Sequence, residues 1–97
     1  MKLLTKEIRK RLPPLYSQEK VADPIVQVKF FNPTGAGTWY ATEFDGVDTF
    51  FGLVKLHETE LGYFSLAELT AYRGKFGLGV ERDLYFTPKP LSEVRGS

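Results

Sequence analysis

The 97-residue chain is 42% hydrophobic, 14% aromatic and 26% charged, which predicts a single folded domain over residues 1–97 and excludes a disordered tail. Its net charge of +1 excludes a strongly basic DNA-binding domain. The absence of cysteine excludes disulfides, thiolate metal sites and a cysteine nucleophile, so the cytoplasm is the expected location. No apolar run approaches the roughly 20 residues that cross a bilayer, and charges soon follow the first residues, so we expect neither membrane insertion nor export.

The first predicted element is a short amphipathic helix over residues 5–12. Its apolar residues recur at a spacing of four while basic residues occupy the other face, and the Thr5 hydroxyl can cap the first turn. The apolar positions are Leu4, Ile8 and Leu12. Pro13 and Pro14 follow, and because proline cannot continue a helix, we expect the helix to end there.

Four strand-like segments follow the helix. Pro24 precedes a β-branched and aromatic run at residues 25–31, after which residues 32–37 form a loop with glycine and proline breakers. The next three runs are residues 39–44, residues 47 or 49 to 56, and residues 61–64. Short polar turns separate these runs, which predicts an antiparallel meander of four strands.

The turn after residue 44 leaves two strand registers open. A two-residue turn at Asp45 and Gly46 is a common hairpin signal. It sets Glu43 opposite Asp48, however, and like charges that face each other across strands are destabilising. A longer loop over residues 45–48 avoids this repulsion, so both forms remain.

A second helix is predicted after the fourth strand. Ser65 and Glu68 form the pattern of a capping box, in which each side chain accepts from a free amide near the start of the helix. The helix should begin at Leu66 and end at Gly74, and residues 83–86 then read as a short strand or extended piece before a loop or final turn. The fold class is therefore α+β: a four-stranded antiparallel meander, five-stranded if this piece joins it, with a short N-terminal helix and a second helix after the fourth strand.

Both faces of the predicted sheet are apolar. Alternation points Phe50 and Val54 to one side and Phe51 to the other. It also places Trp39 and Tyr40 on opposite sides. A sheet with one face in water shows cleaner polar alternation, so the second face should be covered by the other helix, by the C-terminal segment or by another molecule.

No local motif for catalysis, metal binding or a cofactor is present, so we expect none of the three. His57 is the only histidine, which excludes a multi-histidine metal site, and the acidic residues around residue 45 lack the spacing of a calcium loop. No glycine-rich phosphate loop occurs. A small hydrolase-like enzyme is the alternative if scattered residues assemble a site, and the candidates are His57, Glu43, Arg82 and Asp83.

The leading functional interpretation is a non-enzymatic binding or regulatory module that works with an unidentified protein partner or as a homodimer. Trp39 and Tyr40, with Lys29 in the preceding strand, form a candidate stacking platform for single-stranded nucleic acid. Arg82 is a further candidate binding residue. A structural subunit of a homo-oligomer is the third interpretation.

Charge is unevenly distributed along the chain. Residues 1–20 hold six basic and two acidic residues, whereas residues 41–68 hold six acidic residues and one basic residue. Such polarity can orient a partner or a second copy of the chain, and it is also typical of an ordinary solvated surface.

Eight phrases of the sequence form a specific pattern. They lie at residues 3–7, 12–16, 24–26, 28–31, 38–46, 50–54, 60–65 and 81–86. Together they resemble a family of small bacterial proteins, labelled domain of unknown function twenty-nine fifty-eight, over nearly the whole chain. Members of that family look like accessory proteins of plasmids, phages and integrated conjugative elements. The resemblance implies a role around mobile-element DNA and no established activity.

Overall fold

A computed structural model of the chain describes residues 2–96. Within those residues it contains three short helices, seven strands and one 3-10 turn at Lys75–Gly77. The helices and strands are, in chain order, α1 (Lys6–Arg11), β1 (Ile25–Val26), β2 (Val28–Phe31), β3 (Thr38–Phe44), β4 (Thr49–Lys55), β5 (Thr59–Ser65), α2 (Leu66–Ala71), β6 (Glu81–Arg82), β7 (Lys89–Pro90) and α3 (Leu91–Arg95). None of the described helices has the length and apolar character needed to cross a bilayer.

Five strands form one antiparallel sheet in the spatial order β5-β4-β3-β2-β6. The strands from β2 to β5 are neighbours both in the chain and in space, which confirms the predicted meander, and β6 adds a fifth strand beside β2. The predicted first strand over residues 25–31 is divided at Gln27, because β1 pairs with β7 in a separate two-stranded ribbon. The α+β class is therefore confirmed.

The turn between β3 and β4 takes the longer of the two predicted forms. Phe44 pairs with Phe50, which leaves residues 45–48 as the loop. Asp45 Oδ1 accepts the backbone N–H groups of the three residues that follow Gly46, at 2.8, 2.8 and 3.0 Å. A single carboxylate thus organises the loop, and the two-residue turn with its facing like charges is not formed.

Strand β3 contains a bulge at Thr42. Ala41 pairs with Gly52, whereas Glu43 pairs with Phe51. Thr42 is therefore an extra residue between two regular pairs, and its hydroxyl donates to the Phe51 carbonyl oxygen at 3.1 Å. The extra residue reverses the alternation of side chains, so Glu43 lies on the face opposite to that of Ala41.

One face of the five-stranded sheet, called the helix face, packs against the N-terminal segment, α1 and α2. Its core is a group of phenylalanine rings in which Phe44 and Phe64 stack on Phe50 at centroid distances of 4.5 and 5.1 Å. Phe30 meets the Phe50 ring edge-on at 5.4 Å. The N-terminal segment and the helices contribute Leu3, Leu4, Ile8, Leu12, Leu66 and Leu69.

The other face, called the tail face, packs against the C-terminal segment. Tyr40 and Leu53 are buried there with Leu91 and Val94 of α3. The C-terminal segment therefore covers the central part of the second face, as one of the predicted alternatives required. The cover is incomplete beside β5, where the loop between α1 and β1 and the helix α3 leave a cleft.

Both predicted helices are present with shorter bounds. The Thr5 hydroxyl caps α1, which occupies six residues. Helix α2 begins at Leu66 as predicted, but it ends at Ala71 and does not reach Gly74, because Tyr72 already has an extended backbone. The capping pattern at Ser65 therefore predicts the start of this helix correctly, whereas Gly74 predicts its end three residues too late.

The C-terminal region differs from the prediction. The fifth strand is β6, and residues 83–86 form a turn in which Asp83 Oδ1 accepts the Tyr85 N–H at 2.9 Å. Helix α3 replaces the expected loop or final turn. Its first turn is capped by Asp23 Oδ1, which accepts the Ser92 N–H at 2.9 Å. Because this cap comes from a distant part of the chain, it has no local sequence signal.

Candidate functional site

The two aromatic residues of the candidate stacking platform lie on different faces of the sheet. Trp39 is on the helix face, where it packs against the phenylalanine core. Tyr40 is buried on the tail face. The alternation predicted from the sequence is therefore confirmed, and its consequence is that one strand of nucleic acid cannot stack on both rings at once.

The two candidate cations are also apart. Lys29 lies on the tail face opposite Tyr40, and its Nζ atom lies 3.5 Å from Asp83 Oδ2. Arg82 lies on the helix face, where its Nη1 donates to the carbonyl oxygens of Lys2 and Leu3 at 2.6 and 3.1 Å. Arg82 thus ties the N-terminal segment to the sheet.

The residues considered for a scattered catalytic site are not brought together. His57 lies in the exposed turn between β4 and β5, whereas Glu43 lies in the bulged part of β3. Arg82 contacts the N-terminal segment and Asp83 pairs with Lys29. Among the described residues, no group of three or more histidine, cysteine or acidic side chains could hold a metal ion.

A concave site with aromatic and charged walls lies on the tail face beside β5, and we call it the tyrosine cleft. Its volume is about 270 Å³. The sheet forms the floor, the loop between α1 and β1 forms one wall, and α3 forms the other. The floor residues are Thr42, Glu43, Phe51, Leu61 and Tyr63, and the wall residues are Tyr16, Gln18, Glu19, Val21, Ala22, Pro24, Leu91 and Arg95.

The most unusual residue of the cleft is Glu43, whose exposed fraction is only 3%. Its Oε1 accepts the Tyr16 N–H at 2.8 Å and its Oε2 accepts the Gln18 N–H at 2.9 Å. Within residues 2–96 it forms no salt bridge. A buried carboxylate is costly unless it is both hydrogen-bonded and directly paired with a cation, and Glu43 meets only the first condition.

Tyr16 is held in a strained conformation by these bonds. Its φ of 70° lies in the left-handed region, which a bulky side chain seldom adopts. The strain places its ring edge-on to that of Tyr63, with the centroids 6.5 Å apart, and Tyr63 in turn meets Phe51 at 5.0 Å. Three aromatic rings therefore follow one another along the cleft.

The electrostatic environment of the cleft is mainly negative on its tyrosine side. Partial desolvation and the charges of Glu19 and Glu43 together raise the pKa of Tyr63. Both carboxylates thus act at the Tyr63 ring. Arg95 supplies a positive charge on the α3 wall.

Sequence reasoning missed this site because it grouped Glu43 with the acidic turn residues that follow. Regular alternation along β3 would place Glu43 on the same face as Ala41, in the phenylalanine core. The only signal in the sequence is one carboxylate inside an otherwise apolar and aromatic strand, which is a poor fit to either face unless a bulge intervenes.

Outside the cleft, the tail face carries a group of lysines over aromatic rings. The Nζ atoms of Lys29 and Lys55 lie 5.7 and 5.5 Å from the centroid of the Tyr40 ring, and that of Lys89 lies 5.1 Å from the centroid of Phe86. Tyr85, in the adjoining turn, is 94% exposed. The tail face therefore carries positive charge beside aromatic rings, and an accessible ring lies in the adjoining turn.

Comparison with curated proteins and with solved structures gives no match. A family model does match the chain over residues 3–94, which is nearly all of its length, and this agrees with the resemblance read from the sequence phrases. The chain therefore belongs to the family described as "Protein of unknown function (DUF2958)".

Proposed function

We propose that the protein is a non-enzymatic binding module and that the tyrosine cleft is its binding site. The ligand is a positively charged group on an apolar stem, such as a lysine or arginine side chain of a partner protein. The observation that carries this proposal is the buried Glu43 carboxylate, which accepts two hydrogen bonds and forms no salt bridge among the described residues.

A bound cation would supply the missing charge. Each Glu43 oxygen accepts one backbone N–H and keeps capacity for a second hydrogen bond from a ligand. The rings of Tyr16 and Tyr63 offer cation–π attraction at the mouth, and Glu19 adds a second negative charge. Carboxylates and aromatic rings together favour ammonium or guanidinium groups over neutral ones.

The remaining walls suit the stem of such a ligand. Val21, Leu61 and Leu91 line the cleft with apolar surface, which can bury the methylene groups of a long basic side chain. Arg95 stands on the α3 wall and repels a second cation there. The ligand charge is therefore expected on the tyrosine side of the cleft.

An NMR titration with Nα-acetyl-arginine amide tests the proposal. We expect the ring resonances of Tyr16 and Tyr63 to shift in a saturable manner, while the indole of Trp39 on the opposite face stays unchanged. Nα-acetyl-norleucine amide, which has an apolar side chain without charge, is the control and should bind more weakly. Equal shifts with both probes would show that charge is not recognised and would overturn the proposal.

Two surface substitutions sharpen this test without touching the bonds of Glu43. Glu19→Gln removes a negative charge and should weaken binding of the charged probe. Arg95→Gln removes a like charge and should strengthen it. Opposite effects on affinity are expected at unchanged melting temperature, and effects of the same sign would contradict the assignment of the ligand charge.

A second candidate function, binding of single-stranded nucleic acid, is favoured by the lysines on the tail face. Lys89 and the exposed ring of Tyr85, four residues apart in the chain, offer a phosphate contact and one base-stacking surface. We expect a short oligothymidylate to bind at low salt and to be released as salt is raised. Tyr85→Ala and Lys89→Gln should each weaken binding, and undiminished binding by both variants would reject this candidate.

A further inference from the structure

The outer edge of β5 is available for pairing with another strand. Hydrogen bonds from Leu56 N–H to the Glu58 carbonyl at 3.0 Å and from Leu66 N–H to the Asp48 carbonyl at 2.8 Å close the two ends of the β4–β5 ladder. Between them the register is continuous. Bonded and non-bonded pairs alternate in an antiparallel ladder, and the Gly52–Gly62 pair lies an even number of residues from both end pairs. It is therefore a bonded pair, and Gly62 points its N–H and C=O inward to β4.

The residues on either side of Gly62 have the opposite orientation. Thr59, Leu61 and Tyr63 point their backbone N–H and C=O groups away from the sheet, and no hydrogen bond reaches these groups from the described residues. The strand also lacks proline, lysine and any bulge, which are common means of protecting an edge. This edge is therefore competent to add a strand.

The two faces next to this edge recognise different side chains. On the tail face, Leu61 and Tyr63 line the tyrosine cleft. On the helix face, a groove of about 490 Å³ runs between β5 and α2, with Trp39 and Val54 in its apolar lining. A Cβ atom placed on Gly62 would meet nothing within 4 Å, so the groove is open at that position.

We infer that β5 adds an extended strand of a partner protein in which basic and apolar side chains alternate. The basic side chains lie on the tail face and enter the tyrosine cleft, a part of the inference that rests on the proposed function. The apolar side chains lie on the helix face, where one of them covers Gly62. Gly62 and the residue opposite it on the added strand form a non-hydrogen-bonded pair, because the backbone groups of Gly62 point to β4. Side chains approach closely at such a pair, and an aromatic ring opposite an edge glycine stabilises a sheet.

Charge selects such a strand over a second copy of this chain. Glu19 and Glu43 line the cleft that receives the basic side chains, and residues 41–68 hold six acidic residues and one basic residue. Pairing of two β5 edges would bring two acidic regions together, whereas a basic strand neutralises one. The partner is therefore a heterologous basic strand.

The test uses two peptides of identical composition. The alternating peptide is acetyl-Arg-Val-Arg-Phe-Arg-Val-amide, and the control is acetyl-Arg-Arg-Arg-Val-Phe-Val-amide, in which alternation is lost. We expect the alternating peptide to bind at least about tenfold more tightly, since only it aligns charges with the cleft and the ring with Gly62 while forming the backbone bonds. Equal affinities would overturn the inference.

Hydrogen exchange reports on the edge directly. The amides of Leu61 and Tyr63 should become protected when the alternating peptide is bound, because their N–H groups then donate to the added strand. The Gly62 amide already donates to β4 and should change little. Binding without new protection at residues 61 and 63 would also overturn strand addition.

A proline substitution separates the edge from the cleft. Leu61→Pro removes an outward N–H and leaves the bonds to β4 in place, whereas Leu61→Ala removes the side chain and keeps the N–H. Leu61→Pro should lose at least about tenfold more peptide affinity than Leu61→Ala, and a melting curve for each checks the fold. Equal losses would overturn strand addition.

The single-residue probe distinguishes failure of this inference from failure of the proposed function. If Nα-acetyl-arginine amide binds the cleft and the two peptides bind alike, strand addition is wrong and the cleft stands. If the alternating peptide protects the β5 amides and the single-residue probe does not bind, the edge pairs as inferred and the cleft is not a cation site. Concentration-dependent dimerisation through β5 without peptide would replace the basic strand by a second copy.

Discussion

At the scale of single residues, two glycines that face each other across strands β4 and β5 have opposite environments. A Cβ atom on Gly52 would lie 1.8 Å from the backbone oxygen of Tyr40, whereas one on Gly62 would meet nothing within 4 Å. Gly52 is therefore required by the close approach of β3 at the bulge. Gly62 has no such constraint from the folded chain.

This contrast gives a matched pair of substitutions. Gly52→Ala should lower the free energy of unfolding by about 3 kcal/mol or more, because the clash is with backbone and not with a movable side chain. Gly62→Ala should change it by at most about 1 kcal/mol, and in the stabilising direction. Urea denaturation measures both, and similar losses would contradict the geometry of the bulge.

The ionisation of Asp45 should make the stability of the fold depend on pH. Its pKa lies below its ordinary value, chiefly because its carboxylate accepts the Val47 N–H and then the Asp48 N–H. A carboxyl group with a lowered folded pKa stabilises the fold above its unfolded pKa of about 4, and this contribution is lost as the pH falls through the lower folded pKa. Asp45→Asn keeps an accepting oxygen and cannot ionise.

The expected result is a flatter dependence of stability on pH below about 4 in Asp45→Asn than in the parent chain. Thermal melts at a series of pH values measure it. If the two curves run parallel through the acid range, the carboxylate of Asp45 does not stabilise the turn in the way described.

At the scale of helices and strands, local sequence patterns predict some elements of the fold and miss others. The strands β2 to β5 and the starts of α1 and α2 depend on β-branched and aromatic runs, on turn residues and on capping residues, all of which are local. The ribbon of β1 and β7 has two residues in each strand and depends on the pairing of Ile25 with Pro90. No local pattern encodes such a distant contact.

The predicted capping box of α2 is only half correct, because a residue distant in the chain replaces one of its two side chains. The Ser65 hydroxyl accepts the Glu68 N–H at 3.1 Å, as predicted. The Ser65 N–H does not donate to the Glu68 side chain within the described chain. Asp48 acts instead: its Oδ2 accepts the Ser65 hydroxyl at 2.6 Å and its Oδ1 accepts the Ala67 N–H at 2.7 Å.

Ser65 and Asp48 should therefore be energetically coupled. Ser65→Ala should cost about 1 kcal/mol of stability through loss of the cap, and Asp48→Ala should cost a similar amount. Because each variant also removes a partner of the other, the double variant should lose at least about 0.5 kcal/mol less than the sum of the single losses. A double-mutant cycle from denaturation curves measures this, and simple additivity would refute the coupling.

For the whole molecule, the central feature is a sheet whose two faces both pack against other segments of the same chain. Helix α3 has only five residues, yet Leu91 and Val94 close the tail face over Tyr40 and Leu53. The apolar content of both faces allowed this cover to be anticipated from the sequence. The element that supplies it was not anticipated, because a five-residue helix has little propensity of its own.

Leu91→Ala tests the importance of this small cover. Loss of a buried leucine should lower the free energy of unfolding by about 2–5 kcal/mol and expose the tail face to a hydrophobic dye. Leu84→Ala is the matched control, since Leu84 is exposed, and it should change stability by at most about 0.5 kcal/mol. Comparable melting temperatures for the two variants would mean that α3 is dispensable.

The candidate site could be predicted from sequence only in its charge. The acidic character of residues 41–68 is visible in the sequence, and both the tyrosine cleft and the helix-face groove lie beside strands of that segment. The position of Glu43 was not visible, because it depends on the register shift at Thr42. The strained backbone of Tyr16 was equally hidden, since it results from a bond to a residue distant in the chain.

The extra residue of the β3 bulge, Thr42, has a consequence for how the length of this strand can change in evolution. An in-frame deletion of codon 42 would leave Ala41 opposite Gly52 and Glu43 opposite Phe51, so inside and outside would be preserved on both flanks. Thr42 forms part of the floor of the cleft and none of the phenylalanine core, so a change of length at this point reshapes the pocket while the hydrophobic interior is inherited intact.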